Sequence, residues 1–386
     1  RSRGLGDVYK RQPQATLEIH ADHFARGLDQ PRSVELDWRE DGARHGLTVY
    51  RADYRFTPDV AGNWLLTWRC DIGGDVDVFT RHVAVLGAGC AICRFESTSH
   101  REPRPEPDFD ALRLPFDYWD HTCLWLANFV DQPYAQSWAN ATRRAREHGL
   151  SPTPMLFTDY FLRTFPKESR FAEASPAYQR TILSALREAW PLIGHDGEMR
   201  AFAAYSMGGG VVEAARDVGF TTIAALCADQ NWQDGSFRIN QSGMPTRPYF
   251  ISQEDFRKTG DGGPDGLVGV SQCTRNPVLC RDYNCTYCLE PAWNEFGNAA
   301  GGRREMDDVH MSRMYDYFDA MVQNQRNNAR PLIFSVGIEF NGVDPVIRDA
   351  NRLLMAYAVR KAASEPLVFA TSADITVYYG RRYTEI

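Results

Sequence analysis

Apolar residues recur at two different periods along the chain, and the change of period divides it. Over residues 34–86 the period is two: Trp64, Leu66, Trp68 and Cys70 alternate with other residues, and Val76, Val78, Val83 and Val85 resume the pattern beyond the turn residues Gly73 and Gly74. Alternation of this kind gives a strand one apolar face, and short strands so spaced predict a small all-β sandwich. Beyond the charged stretch 101–107, with Pro103, Pro105 and Pro107, the character changes. Apolar runs of strand length at 123–129, 154–158, 222–227, 332–336 and 367–371 then alternate with stretches of helical period. Strands alternating with helices predict a parallel sheet or barrel.

Local signals mark where these helices start and stop. Ser175-Pro176 and Asp344-Pro345 each place a capping residue before a proline at the first helical position. Gly149 and Gly219 end the helices over 136–148 and 211–218. The helix over 306–321 sets Met306, Val309, Met314, Phe318 and Met321 on one stripe, read as core packing and not as a cofactor box. The helix after Pro345 is expected to bury Val346, Leu353, Leu354 and Tyr357.

The resulting division is 13–98 as a β-sandwich, 99–120 as a linker and 121–386 as a (β/α) barrel. Residues 1–12 carry four basic residues with Gly4 and Gly6 and no apolar pattern; they resemble a translated non-native scar and are set aside. Secretion is therefore not legible from a leader. An extracellular or periplasmic location is expected from the sandwich and from the cysteine cluster alone.

Composition narrows the function classes. The chain of 386 residues is 43% hydrophobic and 24% charged, ordinary for a soluble protein with a core. Its net charge of -7 argues against general affinity for nucleic acid or anionic membrane. No apolar run reaches the roughly 18 residues of a transmembrane helix. Four of the nine cysteines, Cys273, Cys280, Cys285 and Cys288, fall close together with only one Cys-x-x-Cys spacing, which leaves disulfides, a structural metal and free thiols open. Cys90 and Cys93 read as buried apolar fillers.

Functional groups of a parallel barrel sit just past the C-terminal ends of its strands. Asp131, Asp159, Asp229, Glu339 and Asp374 occupy such positions, with His195 and Glu198 ahead of Arg200. Paired carboxylates suit general acid/base cleavage of a glycosidic bond, although any one of them also reads as a helix cap. Asp131, Asp229 and Glu339, with Asp159 in reserve, are the candidate catalytic groups. Trp119, Tyr134, Tyr160, Tyr205 and Trp232 lie near strand ends, where aromatic faces stack on sugar rings or pack the core. Arg200 and Tyr205 would orient the substrate. A rival is Ala204-Tyr205-Ser206-Met207-Gly208, close to a nucleophile elbow around Ser206. The one histidine that follows it, His310, is inside a predicted helix, away from where a triad base belongs.

Two segments carry family resemblances. Residues 54–58 and 62–64 resemble the immunoglobulin-like accessory domains that precede catalytic barrels in carbohydrate-active enzymes. Phe129-Val130-Asp131-Gln132-Pro133, a helix, and then residues 149–157 resemble the opening of polysaccharide deacetylases, and the order of elements follows that family to about Tyr379. The resemblance implies an irregular (β/α) barrel of the glycoside hydrolase/deacetylase kind, with Asp131 at the metal-binding aspartate. Val130 replaces the family's first aspartate, and no His-x-x-x-His follows the second strand, so two zinc ligands are absent. The expectation is thus a hydrolase acting on polysaccharide or oligosaccharide with carboxylates and without metal or cofactor. The alternatives are a deacetylase with an altered metal site using Asp131 and His195, a non-catalytic glycan-binding barrel, and the serine hydrolase.

Overall fold

The computed structural model describes residues 14–27, 30–44, 47–72, 74–97, 114, 117–120, 151–156, 174–189, 200–204, 209–226, 231–234, 237–241, 243–245, 248–260, 266–271, 292, 295–296, 305–326, 333–338 and 345–383. The N-terminal part holds β1 (Gln14–His20), α1 (His23–Arg26), β2 (Arg32–Glu35), β3 (Arg39–Arg44), β4 (Leu47–Arg51), β5 (Gly62–Ile72) and β6 (Asp75–Val85). The larger part follows with β7 (Ala91–Ser97), β8 (Asp117–Asp120), β9 (Ser151–Leu156), α2 (Pro176–Ala189), β10 (Ala201–Ala204), α3 (Gly209–Val218), β11 (Thr222–Leu226), β12 (Asn231–Asp234) and β13 (Phe237–Asn240). Its remaining elements are β14 (Tyr249–Phe250), β15 (Val268–Ser271), α4 (Asp308–Arg326), β16 (Ile333–Ile338), α5 (Pro345–Ala362), β17 (Leu367–Phe369) and α6 (Ser372–Tyr383).

The first sheet is antiparallel, in the order β2-β1-β5-β6, and β3 and β4 form a separate hairpin. The predicted alternation is visible in β5. Trp64 and Leu66 are buried with Leu17 and Ile19, and Val34, Phe56, Trp68 and Val83 pack on them. The opposite face of β5 is also enclosed, through Asn63, Leu65 and Thr67. Register places His20 and His82 on either side of Leu65, and both are buried. This second face docks on the larger part of the molecule. The Asn63 Nδ2 donates to the carbonyl of Leu367 at 3.0 Å, and the amide of Phe369 donates to Asn63 Oδ1 at 2.9 Å. One carboxamide thus supplies β17 with the donor and acceptor that a neighbouring strand would supply. Within the N-terminal part the turn into β5 is tight: Gly62 has φ +138, and a Cβ there would lie 2.6 Å from Asp22 Cγ.

The second sheet has the order β14-β15-β11-β10-β9-β8-β7-β16, with β17 also paired to β7. All its pairings are parallel except that of β14 with β15. Its first strand, β7, lies in the stretch 13–98 that the sequence division assigns to the sandwich, and β8 lies in the linker stretch 99–120. The sheet curls: Cys90, Ile92 and Val368 from one end share a core with Phe250, Val268 and Val270 from the other, closed over by Ile375 of α6. Among the described residues the sheet is not closed into a barrel, and what they show of the expected (β/α) barrel is a mixed α/β fold with several sheets. At β17 the edge away from β7 is occupied by Asn63.

The helices start and stop where the chain signals. Ser175 Oγ accepts the Tyr178 amide ahead of α2, and Gly219, at φ +88, ends α3. On the outer side of β7, β16 and β17, α4 and α5 bury Met311, Met314, Phe318, Met321, Leu354 and Met355 against Phe95, Val336 and Phe369. The predicted stripes need shifting: Met306 and Val309 precede the packed turns and are exposed, and α5 turns Ile347 and Met355 inward while Leu353 faces out. No helix among the described residues is long and apolar enough to cross a membrane.

Candidate functional site

Strand alternation sorts β7 into two faces. Ala91, Cys93 and Phe95 face α4 and α5. Ile92 faces the curled interior, and Arg94 shares its parity. Arg94 is fully enclosed, at 0% exposure. Its Nε donates to Ser335 Oγ of β16 at 3.0 Å and its Nη1 to Ser372 Oγ at the start of α6 at 2.6 Å. Register explains the cluster: Ser335 pairs directly with Arg94, and Ser372 lies three residues beyond Phe369, which pairs with Cys93. The guanidinium therefore leans toward the edge where the parallel strands end. This is the most completely buried charged side chain among the described residues.

The same edge carries a helix cap. Thr371 Oγ1 donates to Asp374 Oδ2 at 2.7 Å, and the Asp374 amide meets Thr371 Oγ1 at 3.3 Å. This is a capping box for α6, so Asp374 is committed to helix initiation. Deeper in the interior, Thr222 Oγ1 of β11 donates to Thr376 Oγ1 at 2.7 Å, tying the far end of the sheet to α6.

Of the residues singled out from sequence, Asp131, Asp159, Asp229, Glu339, Tyr160, Tyr205, His195 and Ser206 lie outside the described residues, as do Tyr134, Glu198 and the cluster Cys273, Cys280, Cys285 and Cys288. Trp119 and Trp232 lie on β8 and on the β12–β13 hairpin. Arg200 is exposed just before β10; its carbonyl accepts the amides of Thr221 and Thr222, which fastens the turn into β11. His310 is held at the start of α4, its amide donating to Asp307 Oδ1 at 2.8 Å and its Nδ1 lying 2.5 Å from Asp307 Oδ2. That is a cap, on the outer side of the sheet. Cys90 and Cys93 are buried in different cores, on opposite faces of β7; burial pushes the Cys93 thiol well up, as befits packing and not redox chemistry.

Two other polar groupings are structural. An open depression of about 420 Å³ between α4 and α5 is lined by Asp319, Gln323, Lys361 and Glu365. Lys361 Nζ and Tyr357 OH both donate to Asp319 Oδ2 at 2.8 Å, bracing the two helices. Tyr249, with its hydroxyl donating to the Phe256 carbonyl at 2.6 Å, is held protonated by burial and by the nearby Asp255 charge. Among the described residues no group of three His, Cys, Asp or Glu side chains could hold a metal ion.

Arg94 is not marked as a site residue by the sequence pattern, because Ala91–Ser97 falls within the stretch 13–98 assigned to the sandwich. The available signal was an arginine inside an apolar strand, Ala91-Ile92-Cys93-Arg94-Phe95.

No family model matches the chain, and no curated protein matches it. Among solved structures, a β-glucuronidase from Parabacteroides merdae aligns at 9% identity with TM-score 0.19, over 56% of this chain and 31% of that enzyme. A polysaccharide deacetylase from Bacillus cereus aligns at 9% identity with TM-score 0.14, over 67% of this chain and 85% of that one. A putative α-galactosidase from Bacteroides fragilis aligns at 8% identity with TM-score 0.21, over 93% of this chain and 80% of that one. The chain thus spans about a third of the glucuronidase, and its distant structural neighbours are carbohydrate-active enzymes whose superpositions, at these scores, do not define a common fold.

Proposed function

We propose that the chain is a carbohydrate-active hydrolase that cleaves glycosidic bonds with carboxylates at the C-terminal edge of its parallel sheet. The observation that carries this reading is topological. β9 ends at Leu156, β11 at Leu226 and β16 at Ile338, three strands of one sheet linked throughout by parallel pairing. Asp159, Asp229 and Glu339 each follow one of those ends within three residues. Curling of the sheet brings its two ends into one core, so the strand ends converge instead of spreading along a flat edge. One carboxylic acid protonating the leaving oxygen and one carboxylate acting as nucleophile or base complete such a reaction. Asp131, Asp229 and Glu339 fill these roles, with Asp159 in reserve; Trp119, Trp232 and Tyr160 would stack on sugar rings, and Arg200, Tyr205 and His195 would orient them. The N-terminal unit of residues 13–98 and an extracellular or periplasmic setting belong to the same reading.

The test is product release from a panel of plain and acetylated polysaccharides, scoring reducing ends and free acetate with and without chelator. Reducing ends that survive chelator are the expected result. Acetate that disappears with chelator would point instead to a deacetylase. Glycan binding without either product would mean a binding protein.

A further inference from the structure

The brace between α4 and α5 leaves hydrogen-bonding capacity unused. Asp319 accepts from Tyr357 and from Lys361 through Oδ2, both at 2.8 Å, and among the described residues its Oδ1 accepts no hydrogen bond. Lys361 has three donors. Two are directed at Asp319 Oδ2 and, at 3.4 Å, at Glu365 Oε1; the third remains. Both side chains reach solvent, Asp319 at 41% exposure and Lys361 at 25%. They are also held in place. Tyr357 stacks on Tyr315 with ring centroids 4.2 Å apart, and Lys361 Nζ lies 5.3 Å from the Tyr357 centroid. The hydrogen bond to Asp319 raises the ammonium's pKa, so it stays charged. A carboxylate oxygen and an ammonium hydrogen therefore stand side by side, fixed before any ligand arrives.

These two groups line the open depression of about 420 Å³, together with Ala320, Val322, Gln323 and Glu365. Neighbouring hydroxyls of a sugar ring lie within hydrogen-bond distance of each other. One can donate to Asp319 Oδ1 while the next accepts from Lys361, with ring C–H groups against Ala320 and Val322. Two carboxylates beside one ammonium disfavour an anionic ligand. An open depression also suits a stretch of a long chain better than an enclosed small molecule. Glu365 stands two residues ahead of β17, and Lys361 is near the end of α5. The depression thus sits on the helix side, where the parallel strands start, away from the edge where they end.

We propose that this depression is a second glycan-binding site, which grips a neutral polysaccharide by vicinal hydroxyls and keeps the chain on its polymer while cleavage takes place at the strand-end edge. The class of ligand rests on the carbohydrate reading; the location rests on the Asp319–Lys361 geometry.

Electrophoresis of the full chain through gels containing mannan, xylan, β-glucan or polygalacturonate tests it, with retardation as the readout. Ala320→Leu fills the depression without touching Asp319, Tyr357 or Lys361. Its apparent affinity for the neutral polymer that retards the wild type should fall roughly tenfold or more, the scale of one charge-assisted hydrogen bond, with the melting temperature preserved. Lys361→Met should show a comparable fall. Wild-type retardation of Ala320→Leu overturns the site, and so does retardation of the wild type by polygalacturonate alone. If Ala320→Leu does not fold, Lys361→Met must show the loss in its place, or the proposal fails. Reducing-end release by the wild type, with Ala320→Leu retarded equally, would leave the carbohydrate reading standing without this site. Retardation without release, lost in Ala320→Leu, would keep the site and replace the hydrolase by a glycan-binding protein. A wild type that is neither retarded nor releases reducing ends would sink both.

Discussion

On the outer side of β7, Ala91, Cys93 and Phe95 are sealed under α4 and α5 among methionines and aromatic rings. On the inner side, Ile92 joins an apolar core and Arg94, one step further along, is a buried cation tied to Ser335 and Ser372. The two faces share one strand of 7 residues. The outer face asks for volume, since the helices close over it with methionines and aromatic rings. The inner face becomes polar toward the strand ends, where parallel sheets place their chemistry. Phe95→Ala tests the outer face most severely. It removes a ring at 0% exposure and should cost about 4 kcal/mol in denaturant unfolding. The cost should be equal at pH 5 and pH 8; a loss that varied with pH would mean that charge reaches this face too.

The next largest effect probes the limit of the inner face, at the edge of β17 that faces β5. Asn63→Ala would strip the Leu367 carbonyl and the Phe369 amide of the carboxamide that serves them. Leaving both buried and unmet should cost roughly 3 kcal/mol. Hydrogen exchange localises it: the Phe369 amide should lose protection before the β5–β6 amides do. Equal protection in both proteins would show that another group can serve this edge. Ser372→Ala should cost less, about 2 kcal/mol, the range for a hydrogen bond from a charged donor. Its loss should come with no change in the protection of Phe369, because that amide donates to Asn63 while the hydroxyl accepts from Arg94.

What could be read from the sequence follows the same contrast. Helices with their own punctuation were legible: Ser175-Pro176 opens α2, Gly219 closes α3, and Pro345 begins α5. The apolar face of β5 was legible from Trp64, Leu66 and Trp68 because strand alternation is local. The allegiance of β7 was not, since Ala91–Ser97 pairs with strands more than two hundred residues away and its burial on both faces hides the period of two. The contact at the β17 edge was not legible either. A side chain, Asn63, takes the place of a strand at β17, and no pattern of apolar residues encodes that substitution. Arg94 was overlooked for the first of these reasons, and Asp374 was read as a strand-end acid because a capping box and a catalytic acid occupy the same sequence position.

The smallest expected effect lies on the outer side, at the start of α4, where the only question is whether a titratable pair there does anything beyond capping. Asp307 accepts the His310 amide and meets its ring nitrogen. The backbone donor, followed by the imidazole, holds the carboxyl below its usual range. Its stabilisation is therefore present above the ordinary carboxylate value and lost as pH falls through the lowered one. Asp307→Ala should lower the melting temperature slightly at pH 7, by the smallest shift of the four, and the difference should vanish on acidification toward pH 3. Asp307 is exposed at the helix end and His310 half-buried, so salt should also weaken the effect. Polysaccharide turnover should not change in Asp307→Ala or in His310→Ala, because the sheet separates this cap from the strand-end face. Loss of turnover in His310→Ala with α4 intact would break the contrast between the two sides. It would return His310 to consideration as a base, and with it the Ser206 reading.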